Sequence, residues 1–155
     1  MGKNQKSRKV ASGKAPNLFF DTRESVFFRR NAENIIFQVT GSQLPVMKKV
    51  GLDNIFLSRD HILEPHWHPN AAELDYVVSG EAIISVLDPF TPQLLTYRVK
   101  PRDVVFIPMN WWHWIIAVTE EAHVVAVYDN RKRQNMFGSD MLRKTPPEVF
   151  QLAYG

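Results

Sequence analysis

Three histidines and one glutamate hold the densest set of metal-binding side chains in this 155-residue sequence. His66 and His68, in the run Glu64-Pro65-His66-Trp67-His68, lie two positions apart. On an extended backbone both imidazoles leave the same face, because strand side chains alternate with period two. Glu73 opens the next β-like run after the short connection Pro69 to Ala72, which can fold its carboxylate back beside them. His113 offers a third imidazole, behind the turn Pro108-Met109-Asn110. Taken singly, each has an ordinary structural explanation: a histidine beside tryptophan commonly packs, and a glutamate at a strand start commonly faces water. Taken together, three neutral imidazoles and a carboxylate leave one or two positions of a six-coordinate ion open. Such a set suits Mn(II) first and Fe(II) next, and also accommodates Ni(II), Co(II) or Zn(II). An open position admits a small oxygen ligand to Lewis-acid or redox chemistry. The chain has no cysteine, so only nitrogen and oxygen can hold a metal.

These residues need a rigid frame, and the sequence around them reads as short β-strands. NIIFQVT, NIFLS, ELDYVVS, EAIISVL, LLTYRVK, VVFIP, WIIAV and HVVAVYD are rich in Ile, Val, Phe and Tyr. Gly51, Ser79-Gly80, Asp88-Pro89, Pro92, Pro101 and Pro108 punctuate them with turn chemistry. Short strands at such regular spacing, with no long helical period between them, predict an all-β sandwich or barrel. The C-terminal end differs. MLRK (141–144) suggests a single helical turn, and Thr145-Pro146-Pro147-Glu148 reads as a capping box opening a short helix through Tyr154. That helix is expected to pack on the β-body through Val149, Phe150 and Leu152.

Composition is that of one globular domain, 45% apolar and 23% charged. The net charge of +3 is unevenly placed. Residues 1–17 carry five basic side chains and no acid, which leaves −2 for the rest. The first 17 residues are therefore expected to form a disordered basic tail. The tail lacks interleaved aromatics and Arg131-Lys132-Arg133 is short, so nucleic-acid binding is not expected. No run is long enough to span a membrane and no signal-peptide pattern opens the chain, so a cytoplasmic location is expected.

The motif spacing resembles that of the cupins, small double-stranded β-helix (jelly-roll-like) barrels. His66-x-His68-x4-Glu73-x6-Gly80 is similar to their first motif, and Arg102-Asp103-x4-Pro108-x-Asn110-x2-His113 to their second. The resemblance implies that His66, His68, Glu73 and His113 hold one divalent metal inside the barrel. The resemblance covers roughly residues 34–130; with N-terminal extension strands the barrel is expected over residues 18–135, followed by a helical segment over 136–155. Asp60, Arg102 and Asn110 stand where the family has glycine, and Ala117 where the second motif ends in asparagine.

Germin-like proteins and single domains of the two-domain oxalate decarboxylases look closest. The ending Lys144-Thr145-Pro146-Pro147-Glu148-Val149 also resembles a decarboxylase helix. Those decarboxylases place an arginine three residues before the first ligand histidine, a position that is Leu63 here. They also carry a proton-shuttling glutamate on a lid, whereas residues 130–138, NRKRQNMFG, contain no acid. Leucine cannot replace the bidentate grip of arginine on a carboxylate. No catalytic residue is assigned on these grounds. One reading is a Mn- or Fe-dependent lyase or oxidoreductase of the oxalate decarboxylase/oxidase type, acting on a small carboxylate. The other is a non-catalytic, metal-stabilised binding, storage or spore- or wall-associated cupin. Candidate pocket-lining residues are Arg59, Glu64, Asp75 and Trp112, with Trp112 and Trp114 on the strand face opposite His113; His61 and His123 are expected at the surface. A single barrel with apolar outer strand faces is expected to form a homodimer or higher homo-oligomer.

Overall fold

The computed structural model describes residues 15–155, so the expected basic tail falls outside the described residues up to residue 14. A 3-10 turn at Thr22–Glu24 precedes β1 (Val26–Arg29), β2 (Ile35–Val39), β3 (Gly51–Ser58), β4 (Ile62–Trp67) and β5 (Glu73–Ser79). Then come β6 (Ala82–Leu87), β7 (Leu94–Val99), β8 (Val104–Ile107), β9 (Trp112–Ala117), β10 (Glu121–Tyr128) and β11 (Met136–Phe137). Two helices close the chain, α1 (Gly138–Lys144) and α2 (Pro147–Tyr154). The strands form two sheets, ordered β1-β2-β3-β10-β5-β8 and β11-β4-β9-β6-β7, with every pairing antiparallel. The all-β expectation is met.

Alternation builds the interior. In β3, β9 and β10 every second residue is buried, which turns one face of each strand inward. Ile55, Val77, Ile84, Ile115, Val124 and Ala126 are at most 1% exposed and meet in one apolar core. Burying side chains of this size contributes roughly 1.5–3 kcal/mol each for the larger ones.

Tight turns set the strand registers. Asp60, Arg102 and Asn110 all have positive φ, at 63°, 82° and 70°. They are the three residues for which the resemblance to the cupin motifs implies glycine, and a positive φ is found at each of them. Asp and Asn tolerate this region, whereas Arg102 bears the Cβ penalty in full. Gly80 (φ 70°) cannot be replaced so freely, because a Cβ there would run into the Glu121 carbonyl.

The chain ends differ from expectation. β1, β4 and β11 were not among the eight strands read from composition, since β1 and β11 are short edge strands and β4 carries Glu64, Pro65 and His66. Nor does Thr145 open the last helix. Its hydroxyl donates to the Met141 carbonyl at 2.7 Å and closes α1, while Pro146 precedes α2 with no side-chain cap. A proline on each side of the boundary shifts the helix start by one residue. Moreover, α2 buries none of its residues: Val149 is 47%, Leu152 87% and Tyr154 83% exposed. Of the three residues expected to pack on the β-body, Val149 and Leu152 are exposed and Phe150 is half-buried.

Candidate metal centre

The four predicted ligands come from three strands and one loop. His66 on β4 is the cross-strand partner of His113 on β9, and their ring centroids lie 4.1 Å apart. His68 follows β4, its ring 4.9 Å from His66. Glu73 begins β5 in the opposite sheet, so the cage is completed only when the two sheets close on each other. One donor atom from each of the four lies within 4.8 Å of all the others, and all four residues are buried.

Backbone carbonyls orient the rings. His66 Nδ1 donates to the Glu64 carbonyl at 2.7 Å, His68 Nδ1 to that of Gln134 at 2.9 Å, and His113 Nδ1 to that of Trp111 at 2.8 Å. With Nδ1 protonated in each, the Nε2 lone pairs point into the cage, the tautomer that a metal-binding histidine requires. His68 Nε2 lies 2.8 Å and His113 Nε2 3.0 Å from Glu73 Oε2. The His113 nitrogen is off hydrogen-bonding geometry, so this buried atom has no hydrogen-bond partner. Lone pairs facing a carboxylate oxygen repel unless a cation or a proton lies between them. The donor set therefore fits a divalent metal.

Electrostatics agree. Burial, reinforced by the adjacent His113, pushes the His66 imidazole down to about 3, so it is neutral at neutral pH. Burial opposes ionisation of Glu73, but positive charge on the side of His113 and His68, the place a bound cation would take, outweighs it and holds the carboxyl well below the usual range. Asp75, fully buried with neither oxygen hydrogen-bonded, is pushed well above the usual range by burial and by the Glu73 charge. It points inward beside Glu73 but does not line the cavity at the cage.

That cavity is lined by His66, His68, Leu63, Phe27 and Phe137 together with Arg133, Asp53 and Asn135. Its free volume is about 10 Å³, room for about one water. The Arg133 side chain is only 5% exposed, lies between the rings of Phe27 (4.9 Å) and Tyr128 (4.5 Å), and pairs with Asp53. Burial raises the Asp53 carboxyl, and Arg133 offsets part of that cost. Arg133 Nε and Asn135 Oδ1 are buried without a hydrogen-bond partner among the described residues. Tyr128 links the two carboxylates, with its hydroxyl 3.3 Å from both Asp53 and Glu73.

The loop that carries Arg133 is stitched to the first motif by Asn70. The Asn70 carboxamide accepts from Gln134 N at 2.8 Å and donates to the Lys132 carbonyl at 3.1 Å, and Asn130 donates to the Asn70 carbonyl at 2.8 Å. Arg133 thus reaches the interior from the segment that the sequence presents as a polar loop. Its signal was faint. Asp53 gave a better one, as a carboxylate at an inward position of an alternating strand.

None of the four pocket candidates lines the cavity at the cage: Asp75 is buried beside Glu73, and Glu64 lines the neighbouring groove instead. Arg59 pairs with Glu120 at 2.8 Å and its side chain is 52% exposed. Glu64 turns away from the cage and accepts from Ser139 N and Oγ, both at 3.0 Å, at the start of α1. Trp112 packs at a tilt of 49° against Trp67, ring centroids 5.4 Å apart, and covers Gly138, on the outward face opposite His113. His61 is half-buried and bonds Ser58 Oγ at 3.0 Å, and His123 is half-buried against Phe56.

Comparison with known proteins gives the same frame. Oxalate decarboxylase from Bacillus subtilis (strain 168) is 28% identical over 121 residues, which are 76% of this chain and 31% of that protein. Legumin B from Pisum sativum is 28% identical over 123 residues, 77% of this chain and 36% of its own. The chain thus spans about a third of the length of these curated relatives. The solved Bacillus subtilis oxalate decarboxylase superposes with a TM-score of 0.84 at 26% identity, covering 92% of this chain and 37% of that one. Lactobacillus farciminis oxalate decarboxylase shares the fold, with a TM-score of 0.75 at 20% identity over 81% of this chain and 37% of its own. A family model described as Cupin matches residues 36–155, the span that contains the whole cage. The chain belongs to the cupin family.

Proposed function

We propose that this cupin holds one divalent ion, Mn(II) before Fe(II), on His66, His68, Glu73 and His113, and that a small carboxylate is its substrate. The observation that carries the reading is the convergence of the four buried donors with their Nδ1 protons tied to backbone carbonyls. The solved Bacillus subtilis oxalate decarboxylase, which shares this fold, is described with Mn(II) centres. When bound, the ion would supply Lewis-acid polarisation and, for Mn or Fe, electron transfer. The chain's own residues supply the rest. Arg133, buried with a free Nε beside the cage, offers a carboxylate the cation that Leu63 does not. Asn135 adds an amide, and Phe27, Leu63 and Phe137 exclude water. Tyr128 keeps a proton between Asp53 and Glu73.

The test is reconstitution of stripped protein with Mn(II), Fe(II) or Ni(II), desalting, and metal analysis, followed by incubation with oxalate. Formate would indicate decarboxylase chemistry and peroxide oxidase chemistry. Absence of retained metal would sink the reading. The closed cavity favours a second reading, a metal-stabilised binding or structural cupin, which predicts retained metal and no product.

Homo-oligomerisation belongs to the same proposal. Leu74, Tyr76 and Val78 on β5 and Val104 and Phe106 on β8 are each at least 39% exposed on the outer face of one sheet, and α2 exposes Leu152 and Tyr154. Sedimentation velocity of wild type and Phe106→Asp reads it directly, with the variant expected to be monomeric.

A further inference from the structure

A second cavity adjoins the metal centre, and the proposed chemistry does not use it. It is a groove of about 330 Å³ between the edge of one sheet, at β1 and β2, and the edge of the other, at β4 and β11. That volume lies in the range of small-molecule sites. Phe27, Ile36, Leu63 and Phe137 line both this groove and the cavity at the cage, so the two are separated only by a wall of apolar side chains. Phe28 and Ile62, 49% and 41% exposed, form its outer apolar surface; Arg30, Asn34 and Glu64 are its polar lining, the Glu64 carboxylate being held by Ser139.

We infer that the groove receives the apolar body of an amphipathic monocarboxylate whose carboxylate reaches through the Phe27–Leu63–Phe137 wall to the metal cage. The inference rests on the metal reading above and deepens it by naming the class of substrate. Three observations carry it. The inner cavity is too small for an organic molecule, so a substrate held there must extend outward, and the groove is the space it would enter. Arg133, its side chain 5% exposed, lines the inner cavity, and its Nε is left without a hydrogen-bond partner although the guanidinium pairs with Asp53, so the cation that can meet an anionic end stands inside. Leu63 lines both compartments and makes their boundary apolar, compatible with a hydrocarbon or aryl group. Entry requires rotation of Phe27, Leu63 and Phe137, all of which are only partly buried.

The test is calorimetric titration of the full-length, Mn(II)-loaded protein with acetate, butyrate, hexanoate and phenylacetate. Affinity is expected to tighten by about tenfold or more from acetate to hexanoate, as methylenes leave water. Ile62→Glu and Phe28→Ser, both at the exposed surface of the groove, should abolish that gain while leaving acetate affinity, metal content and thermal melting within error of wild type. An affinity series that is flat while metal is retained would overturn the inference and leave the metal reading intact. So would a gain that survives in both variants. If wild type retains no metal, the metal reading fails, and the same series on metal-free protein decides the groove. Tightening with chain length that Ile62→Glu removes would sustain it, and a flat series would end it. Should a second copy fill the groove, the series would be flat and Ile62→Glu would convert an oligomer to monomer in sedimentation, which also overturns the inference.

Discussion

The two ends of the barrel interior are built from the same strands and obey opposite rules. At one end β3, β5, β9 and β10 turn Ile55, Leu57, Val77, Ile115, Ala117 and Val124 inward, and the space is filled with apolar atoms. At the other end the same strands turn in Asp53, Glu73, Asp75, His113 and Tyr128, beside His66 and His68 from the β4 side. The first end stabilises the fold by removing hydrocarbon from water. The second costs stability, because buried carboxylates and imidazoles lose hydration. It is held in place by the closure of the first end and by specific pairing. Several of its polar atoms remain unpaired, including both oxygens of Asp75, the His113 Nε2 and the Arg133 Nε. Unpaired buried polar groups mark a site built for something other than stability.

Substitutions should separate the two ends. The largest effect is expected on metal retention. His66→Ala or His113→Ala should weaken Mn(II) binding by more than about 100-fold, measured by competition with a fluorescent chelator, while thermal unfolding of the metal-free form changes far less. Retained affinity would show that the cage is not the metal site. In the apolar half, Ile115→Ala should cost about 2–5 kcal/mol in denaturant unfolding and leave the Mn(II) dissociation constant within about twofold. A large fall in metal affinity would mean that the two ends are coupled more tightly than their separate linings suggest.

Acid should distinguish the ends as well. In metal-free protein the folded His66 imidazole titrates near 3 and the unfolded one near 6.5, so below 6.5 the unfolded chain takes up a proton that the folded chain refuses. The contribution of His66 to stability is therefore fully present above about 6.5 and is lost as pH falls toward 3. Urea midpoints at pH 7.5, 5.5 and 4.5 should fall more steeply for wild type than for His66→Gln. Equal slopes would refute the assignment. The smallest effect expected is at a turn. Arg102→Gly relieves a positive φ of 82° and should stabilise the protein by about 1 kcal/mol without touching metal affinity.

Much of the frame was legible in the sequence because β-alternation is local. Eight strands could be read from runs of Ile, Val, Phe and Tyr, and the spacing His66-x-His68-x4-Glu73 with His113, through its resemblance to the cupin motifs, pointed to the cage. The chain ends were harder. Whether Thr145 closes α1 or opens α2 is decided by a single backbone geometry, and either choice satisfies the composition. The exposure of Leu152 and Tyr154 could not be read from their apolarity, which predicts burial wherever a surface happens to be available.

What the sequence pointed to by itself is the fold class, through local strand alternation, and the candidate ligand set, through the spacing His66-x-His68-x4-Glu73 and the later His113. What only the tertiary structure decided is who stands around the cage. Arg133 lies 65 residues beyond His68, in a loop rich in charge, and it becomes an interior residue because Asn70 pins that loop across the barrel mouth. Arg59, Glu64 and Trp112, all close to a ligand or its neighbouring turn in sequence, face away from the cage. Proximity along a strand does not determine direction, and contacts between distant segments follow from how the two sheets close.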